Sequence, residues 1–379
     1  MILRYMNKSR QAISLFSGGM GLDIGLQDAG IHIAVGQDLD PSCIKTIREN
    51  GHAAIGGDIA QLRSETVLEL AGLRIGEPFL ICGGPPCQPF STAGKRLGVN
   101  DPRGSLFIEF VRMIREIQPR FFVMENVKGL VSSKLVDHGG KSEETTVLDV
   151  VLEQFARIGY HTVHGILDAV NYGVPQFRER LIILGSRDNE NVFLPVPTHF
   201  QIHQNPGYRW NVLGNVIRDL EDDEGECASF SPERLRFLKM VPEGGNWRDL
   251  PEEVKKIAMG GAYDSGGGKV GFYRRLSYKQ PSPTLVTSPV QKASMFCHPV
   301  KDRPLSVKEY ARIQQFPDSW RFVGTTASKY RQIGNAVPVG LARAVGQALL
   351  ACADRDAVIE TKRLRGTSVH SKIIEAMTM

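Results

Sequence analysis

The chain lacks any CxxC pair. Its six cysteines, Cys43, Cys82, Cys87, Cys227, Cys297 and Cys352, are scattered, a pattern that disfavours both a zinc cluster and a disulfide framework. No run approaches about 18 consecutive apolar residues, so no membrane span is expected. The opening MILRYMNKSRQAISLF is basic but has neither an apolar segment nor a small-residue cleavage site behind it, so no secretory leader is expected. No segment repeats. These absences place the expected setting in the reducing cytoplasm. Excess charge is modest too: +5 over 379 residues is compatible with a polyanionic partner and does not establish one. With 42% hydrophobic and 23% charged residues, a wholly disordered chain is excluded, and the length suits two lobes.

Between residues 12 and 185, short apolar strands alternate with helical patterns. AISLF (12–16) reads as a buried strand. A glycine turn follows, then a helix through Leu22, Leu26 and Ala29 that Gly30 closes. IHIAVG (31–36), FLICGG (79–84), FFVME (121–125) and LIILG (181–185) read as further strands. Leu106, Phe110, Ile114 and Ile117 recur at helical spacing, as do Val147, Leu148, Val151, Leu152, Phe155 and Ile158 before Gly159. This alternation predicts a doubly wound, mostly parallel α/β sheet, whose sites lie beyond the carboxyl ends of the strands. Residues 190–305 are predicted to form a second, smaller and irregular lobe with a hinge. A return segment, 306–354, carries an amphipathic helix over 338–353 and completes the first domain (1–189). A polar tail spans 355–379.

The turn FSGGMGLDIG (16–25) lets backbone pass close to a ligand at a helix N-terminus. Gly19 and Gly21 begin a GxGxxG match, but Ile24 occupies its third glycine position, so the dinucleotide fingerprint fails. Asp38 ends the second strand, where an acid grips ribose hydroxyls. Asp58, in GGDIA, is placed to accept from an adenine amino group. A nucleoside without a pyrophosphate fits at least as well as a dinucleotide, and S-adenosylmethionine is such a ligand. The plain alternative makes Asp38 and Asp58 simple turn residues.

Chemistry concentrates at later strand ends. In GGPPCQPFS (83–91), Pro85 and Pro86 stiffen the chain just before Cys87, which suits a nucleophile. Cys82 lies inside the strand and belongs to the core. Glu125 and Asn126 follow the next strand, and QFRER (176–180) puts Arg178 and Arg180 on one face if extended. His199 and His203 have the i, i+4 spacing of a zinc helix, but prolines flank them and no Glu follows His199, so no metal site is expected.

In this order FSGGMG, Asp38, GDI, PPCQPFS, ENV, QFRER, RRLSYKQPSPTL (274–285) and GNAVP (334–338) make the chain resemble the DNA (cytosine-5) methyltransferases of the bacterial restriction–modification type. One departure is Met20, where that family usually has glycine. The resemblance implies a Rossmann-like methyltransferase sheet with a target-recognition lobe over about 190–272. It implies methyl transfer from S-adenosylmethionine to C5 of a flipped cytosine in a specific duplex DNA sequence, through a covalent Cys87–C6 adduct. Catalytic roles fall on Cys87, Glu125 (N3 and the exocyclic amine), Asn126 (loop geometry), Arg178 and Arg180 (O2). Phe16, Gly18, Gly21, Asp38, Leu39, Asp58, Ile59, Pro85, Leu106, Asn335 and Ala336 would hold the cofactor. Gln88, Ser91, Lys95, Arg96, Arg103, Arg274 and Arg275 would meet DNA, with Tyr263 and Lys269 as further candidates. The partner implied is double-stranded DNA, met by a monomer without metal or membrane. Rival readings are a tRNA cytosine-5 methyltransferase of the related branch and a non-catalytic DNA-binding relative. A dehydrogenase fails on Ile24 and gives PPCQ no role.

Overall fold

Strand β1 (Gln11–Leu15) is buried from Ala12 onward, as a strand covered on both faces must be. In the computed structural model, which describes residues 10–86, 105–136, 142–223, 225–264 and 270–355, it lies at the centre of the sheet. It is followed by α1 (Gly21–Ala29), β2 (His32–Asp38), α2 (Pro41–Glu49), β3 (Ala54–Gly56), α3 (Ser64–Ala71) and β4 (Leu80–Gly83). Next come α4 (Ser105–Ile117), β5 (Phe121–Val127), a hairpin of β6 (Lys134–Val136) and β7 (Ser142–Thr146), α5 (Val147–Arg157), β8 (His161–Asp168) and β9 (Glu179–Ser186). The seven strands outside the hairpin form one sheet in the order β3-β2-β1-β4-β5-β9-β8. Strands β1 to β5 are parallel, and β9 runs antiparallel to both its neighbours. The winding reverses between β1 and β4, so the crevice beyond their carboxyl ends is the natural site of a ligand.

Alternation along the strands feeds two cores. Ala12, Cys82, Phe121 and Val123 face one side, while Ile13, Leu15, Ile81 and Phe122 face the other, against α4 and α5. A third core is separate and uses α6 (Pro232–Leu238) and α7 (Glu252–Met259), with Phe230, Phe272, Tyr273, Met295 and Cys297. Val192, Leu213 and Ile217 join the sheet-side core instead. The chain from 190 to about 220 therefore packs on the first lobe, and the second lobe's own core begins at Phe230 rather than at the expected boundary.

After α8 (Val307–Ile313) and α9 (Thr326–Asn335), a final helix α10 (339–355) returns to the sheet. It lies against α1 almost backbone to backbone. A Cβ added at Gly25 would sit 2.3 Å from the Val339 carbonyl oxygen and 2.4 Å from the Ala342 methyl, so only glycine permits this approach. The span Thr326–Arg355 is long and apolar enough to cross a membrane by composition. However, 78% of its most apolar window is buried inside the protein, which marks it as core.

Candidate active site

A cavity of about 840 Å³ opens at the switch point. Its first wall is the turn after β1. Phe16 and Met20 both hold positive φ, 56° and 67°, and Gly18 holds 55°. Met20 therefore keeps the left-handed turn that glycine would adopt freely, and its fully buried side chain anchors the turn in the core. The Gly18 N–H donates to Asp38 Oδ2 at 2.7 Å, and the Asp40 N–H donates to Asp38 Oδ1 at 2.8 Å. Burial raises the Asp38 pKa above the usual carboxylate range, and those two N–H groups oppose it. Asp58 caps a short turn through the Ala60 N–H, with Ile59 buried beside it and Leu39 exposed at 67%. Phe16, Gly18, Gly21, Asp38, Leu39, Asp58, Ile59, Pro85, Leu106, Asn335 and Ala336 all line this one cavity.

The opposite wall carries charge. Arg180 Nε lies 2.7 Å from Glu125 Oε1, and each side chain is only 12% exposed. Burial pushes the Glu125 pKa upward, against the pull of Arg180 and then Arg178. The Asn126 amide donates to the Pro85 carbonyl at 3.0 Å, which ties the end of β5 to the start of the Pro85–Pro86 segment. Strands β4 and β5 are neighbours in the sheet, which is why residues 41 apart in sequence meet here. Cys87, Gln88, Ser91, Lys95, Arg96, Arg103 and Lys269 lie outside the described residues.

Arg178 lines the cavity beside Glu125 and Arg180 and also has a structural task. Its guanidinium is buried and donates to the Leu285 carbonyl at 2.9 Å and the Gly334 carbonyl at 2.7 Å. It braces the hinge and the return segment beside β9 through its two terminal nitrogens, while its Nε is left without a hydrogen-bond partner among the described residues and the side chain also lines the cavity. Arg178→Ala leaves two buried carbonyls without donors, a loss of about 2–5 kcal/mol expected in urea unfolding.

Arg275 requires a correction. It is 5% exposed and donates to the carbonyls of Leu238, Val241, His298 and Lys301, besides pairing with Asp302 at 2.6 Å. It holds the second lobe together and has no face free for DNA. Arg274 lies over the Phe296 ring and donates to the Met295 carbonyl, so it too is engaged within the fold. Tyr263 packs edge-on against Trp247. His203 packs with Phe200 and Tyr208.

The cavity also gathers residues that sequence reasoning passed over: Ser14, Ser17, Asp23, Asp40, Thr284 and Arg331 among them. Asp23 had one legible signal, an acid inside the apolar face of α1.

Residues 10–351 match the family model described as C-5 cytosine-specific DNA methylase. The chain belongs to that family. The type II methyltransferase M.Sau96I of Staphylococcus aureus is 38% identical over 348 residues, covering 91% of this chain and 76% of that relative. M.Eco47II of Escherichia coli is 37% identical over 364 residues, covering 92% of this chain and 81% of that relative. The fold is similar to that of the S. pombe Dnmt2 methyltransferase, with a TM-score of 0.55 at 18% identity over 91% of this chain and 99% of that one. The protein is thus a cytosine-C5 DNA methyltransferase that uses S-adenosylmethionine.

The site suits that cofactor. Asp38 and Asp58 stand at a nucleoside end, and the Gly18–Gly21 turn allows close approach. Asp23 offers a buried carboxylate near which, among the described residues, only the Ser14 hydroxyl and its own N–H stand as donors and no cation, which is apt for a cationic ligand.

Proposed function

We propose that this methylase transfers the methyl group to a cytosine flipped out of duplex DNA, by way of a covalent bond between Cys87 and C6, and that it works as a cytoplasmic monomer. The observation that carries this reading is the Glu125–Arg180 pair, 2.7 Å apart, in the same cavity as Asp38 and beside the prolines that precede Cys87. The cofactor, when bound, supplies a methyl group activated by its sulfonium. Cytosine C5 alone is too poor a nucleophile to take it. The Cys87 thiolate gives its electron pair to C6, and the former C5–C6 π pair moves onto C5. Glu125, whose hold on a proton burial strengthens, gives that proton to N3 and relieves the charge that builds on the ring. Arg180 orients the ring at O2. Once C5 carries methyl, its proton passes to water, the C–H electrons restore the C5–C6 double bond as the Cys87 thiolate leaves, and the N3 proton returns to Glu125. In a stacked, paired base N3 is engaged and the ring faces at C5 and C6 are covered by the neighbouring bases, so the nucleotide must leave the helix.

The test uses a duplex with 5-fluorocytosine at the methylated position, found by bisulfite sequencing of DNA from a host that expresses the protein. Fluorine cannot leave as the proton does, so with methyl donor present a stable adduct to the peptide holding Cys87 is expected. Absence of any adduct overturns the covalent route. Labelled methyl appearing in tRNA and never in duplex DNA overturns the substrate assignment.

A further inference from the structure

Asp23 is the third residue of α1 and is fully buried, and its carboxylate has no partner in full hydrogen-bond geometry among the described residues; the Ser14 hydroxyl and its own backbone N–H are the donors close enough to favour its ionisation. An isolated buried carboxylate is costly, and proteins tolerate one either by keeping it neutral or by pairing it. Three elements face it. Ser14 comes from β1, its hydroxyl accepting from Ser17 Oγ at 2.8 Å and lying near enough to favour ionisation of Asp23. Cys82 comes from β4, in register with Ser14, and Asp38 from the end of β2. The return segment adds the apolar Ala336 and Val337 against Gly21. Among the described residues no cation contributes to its ionisation. Ser14, Ser17 and Asp23 nonetheless line the same cavity as Asp38 and Glu125.

The cofactor's sulfur carries three arms. The methyl must point toward Glu125 and the base, and the nucleoside must reach Asp38 and Asp58. The amino-acid arm is left with the wall formed by Ser14, Ser17, Asp23 and the turn. We infer that Asp23 receives the α-ammonium of that arm and is the counter-charge this enzyme provides for the amino-acid end of its cofactor.

This inference rests on the cofactor assignment and adds a linkage to it. Burial lifts the Asp23 pKa to about 7, with Ser14 opposing and Asp38 reinforcing. The free enzyme therefore holds Asp23 largely protonated below neutrality. Entry of the ammonium, which keeps its own three protons, drives the carboxyl to ionise, and its proton passes to solvent. Cofactor affinity consequently rises with pH up to about neutrality and levels off above it.

Calorimetry with the intact protein tests this at pH 6, in two buffers of different ionisation enthalpy. S-adenosylhomocysteine, which has the amino-acid arm, is expected to release a substantial fraction of one proton on binding. 5′-Methylthioadenosine, which lacks that arm, is expected to release almost none. Asp23→Asn should weaken S-adenosylhomocysteine at least tenfold, leave methylthioadenosine unchanged and abolish the proton release. Absence of proton release in the parent enzyme overturns the inference, as does equal weakening of both ligands in the variant, which would reveal a purely structural carboxyl. Should the variant fail to fold, the two ligands on the parent enzyme still decide. Binding of neither compound overturns the cofactor assignment, and this inference with it.

Discussion

Cys87→Ala is expected to lower methyl transfer by more than about a thousandfold, the scale on which covalent enzymes lose rate with their nucleophile. S-adenosylhomocysteine binding should stay within about twofold of the parent, because the groups proposed to hold the cofactor are not those that attack the base. The structure locates the approach to Cys87 rather than the residue itself: Pro85 and Pro86 line the cavity, and Asn126 fixes the Pro85 carbonyl. Cys82 is the natural control. It is fully buried, and burial pushes its thiol well above the ordinary range, with the nearby Asp23 adding to the effect. Such a thiol supplies no thiolate at working pH. Cys82→Ala should therefore retain turnover and alter packing. Single-turnover transfer of labelled methyl by the two variants decides between the cysteines, and an inactive, well-folded Cys82→Ala beside an active Cys87→Ala would reverse the assignment.

Glu125→Gln is expected to slow the reaction by about 10²–10⁴-fold, the usual worth of a positioned acid. The pH profile should change with it. The acidic form of Glu125 is lost as pH rises through its raised pKa, which gives the parent a falling limb that glutamine, with no proton to lose, removes. Stability should move the other way. Folding strengthens the carboxyl's hold on its proton, mainly through burial, despite the attraction of Arg180 and Arg178. A group of that kind favours the native state below its unfolded pKa, and the contribution disappears as pH climbs through the folded value. An uncharged glutamine that still accepts from Arg180 should thus unfold at pH 8 at the same temperature as the parent or higher. A marked fall in unfolding temperature would show that the ion pair outweighs the cost of burying it.

Much of this site could be read along the chain because each functional group stands at the tip of a strand with an apolar signature. β1, β4, β5 and β9 are largely buried, so their sequences announce them. β8 did not announce itself: His161, Thr162, His164 and Gly165 leave it half open to solvent at the sheet edge, with no apolar run to notice. Arg275 misled for a related reason. A basic pair in a glycine-rich region looks like a phosphate contact, and only the folded chain reveals that four carbonyls from distant segments converge on it. Asp23 shows the same limit. Its spacing marks an acid among apolar neighbours, but the lack of a partner in full hydrogen-bond geometry arises only once β1, β4 and α1 have come together.

The docking of α10 onto the glycine face of α1 has a bearing on how the protein is made. The first 190 residues leave the ribosome while their covering helix is still about 150 residues from synthesis, a delay of roughly 8–30 s at ordinary elongation rates. Through that interval Gly21 and Gly25 have nothing laid across them, and the stretch at Asn335–Val337 that closes the cavity does not yet exist. Until residues 335–337 have emerged, a nascent chain therefore lacks one wall of the cavity, and the glycine face of α1 stays uncovered.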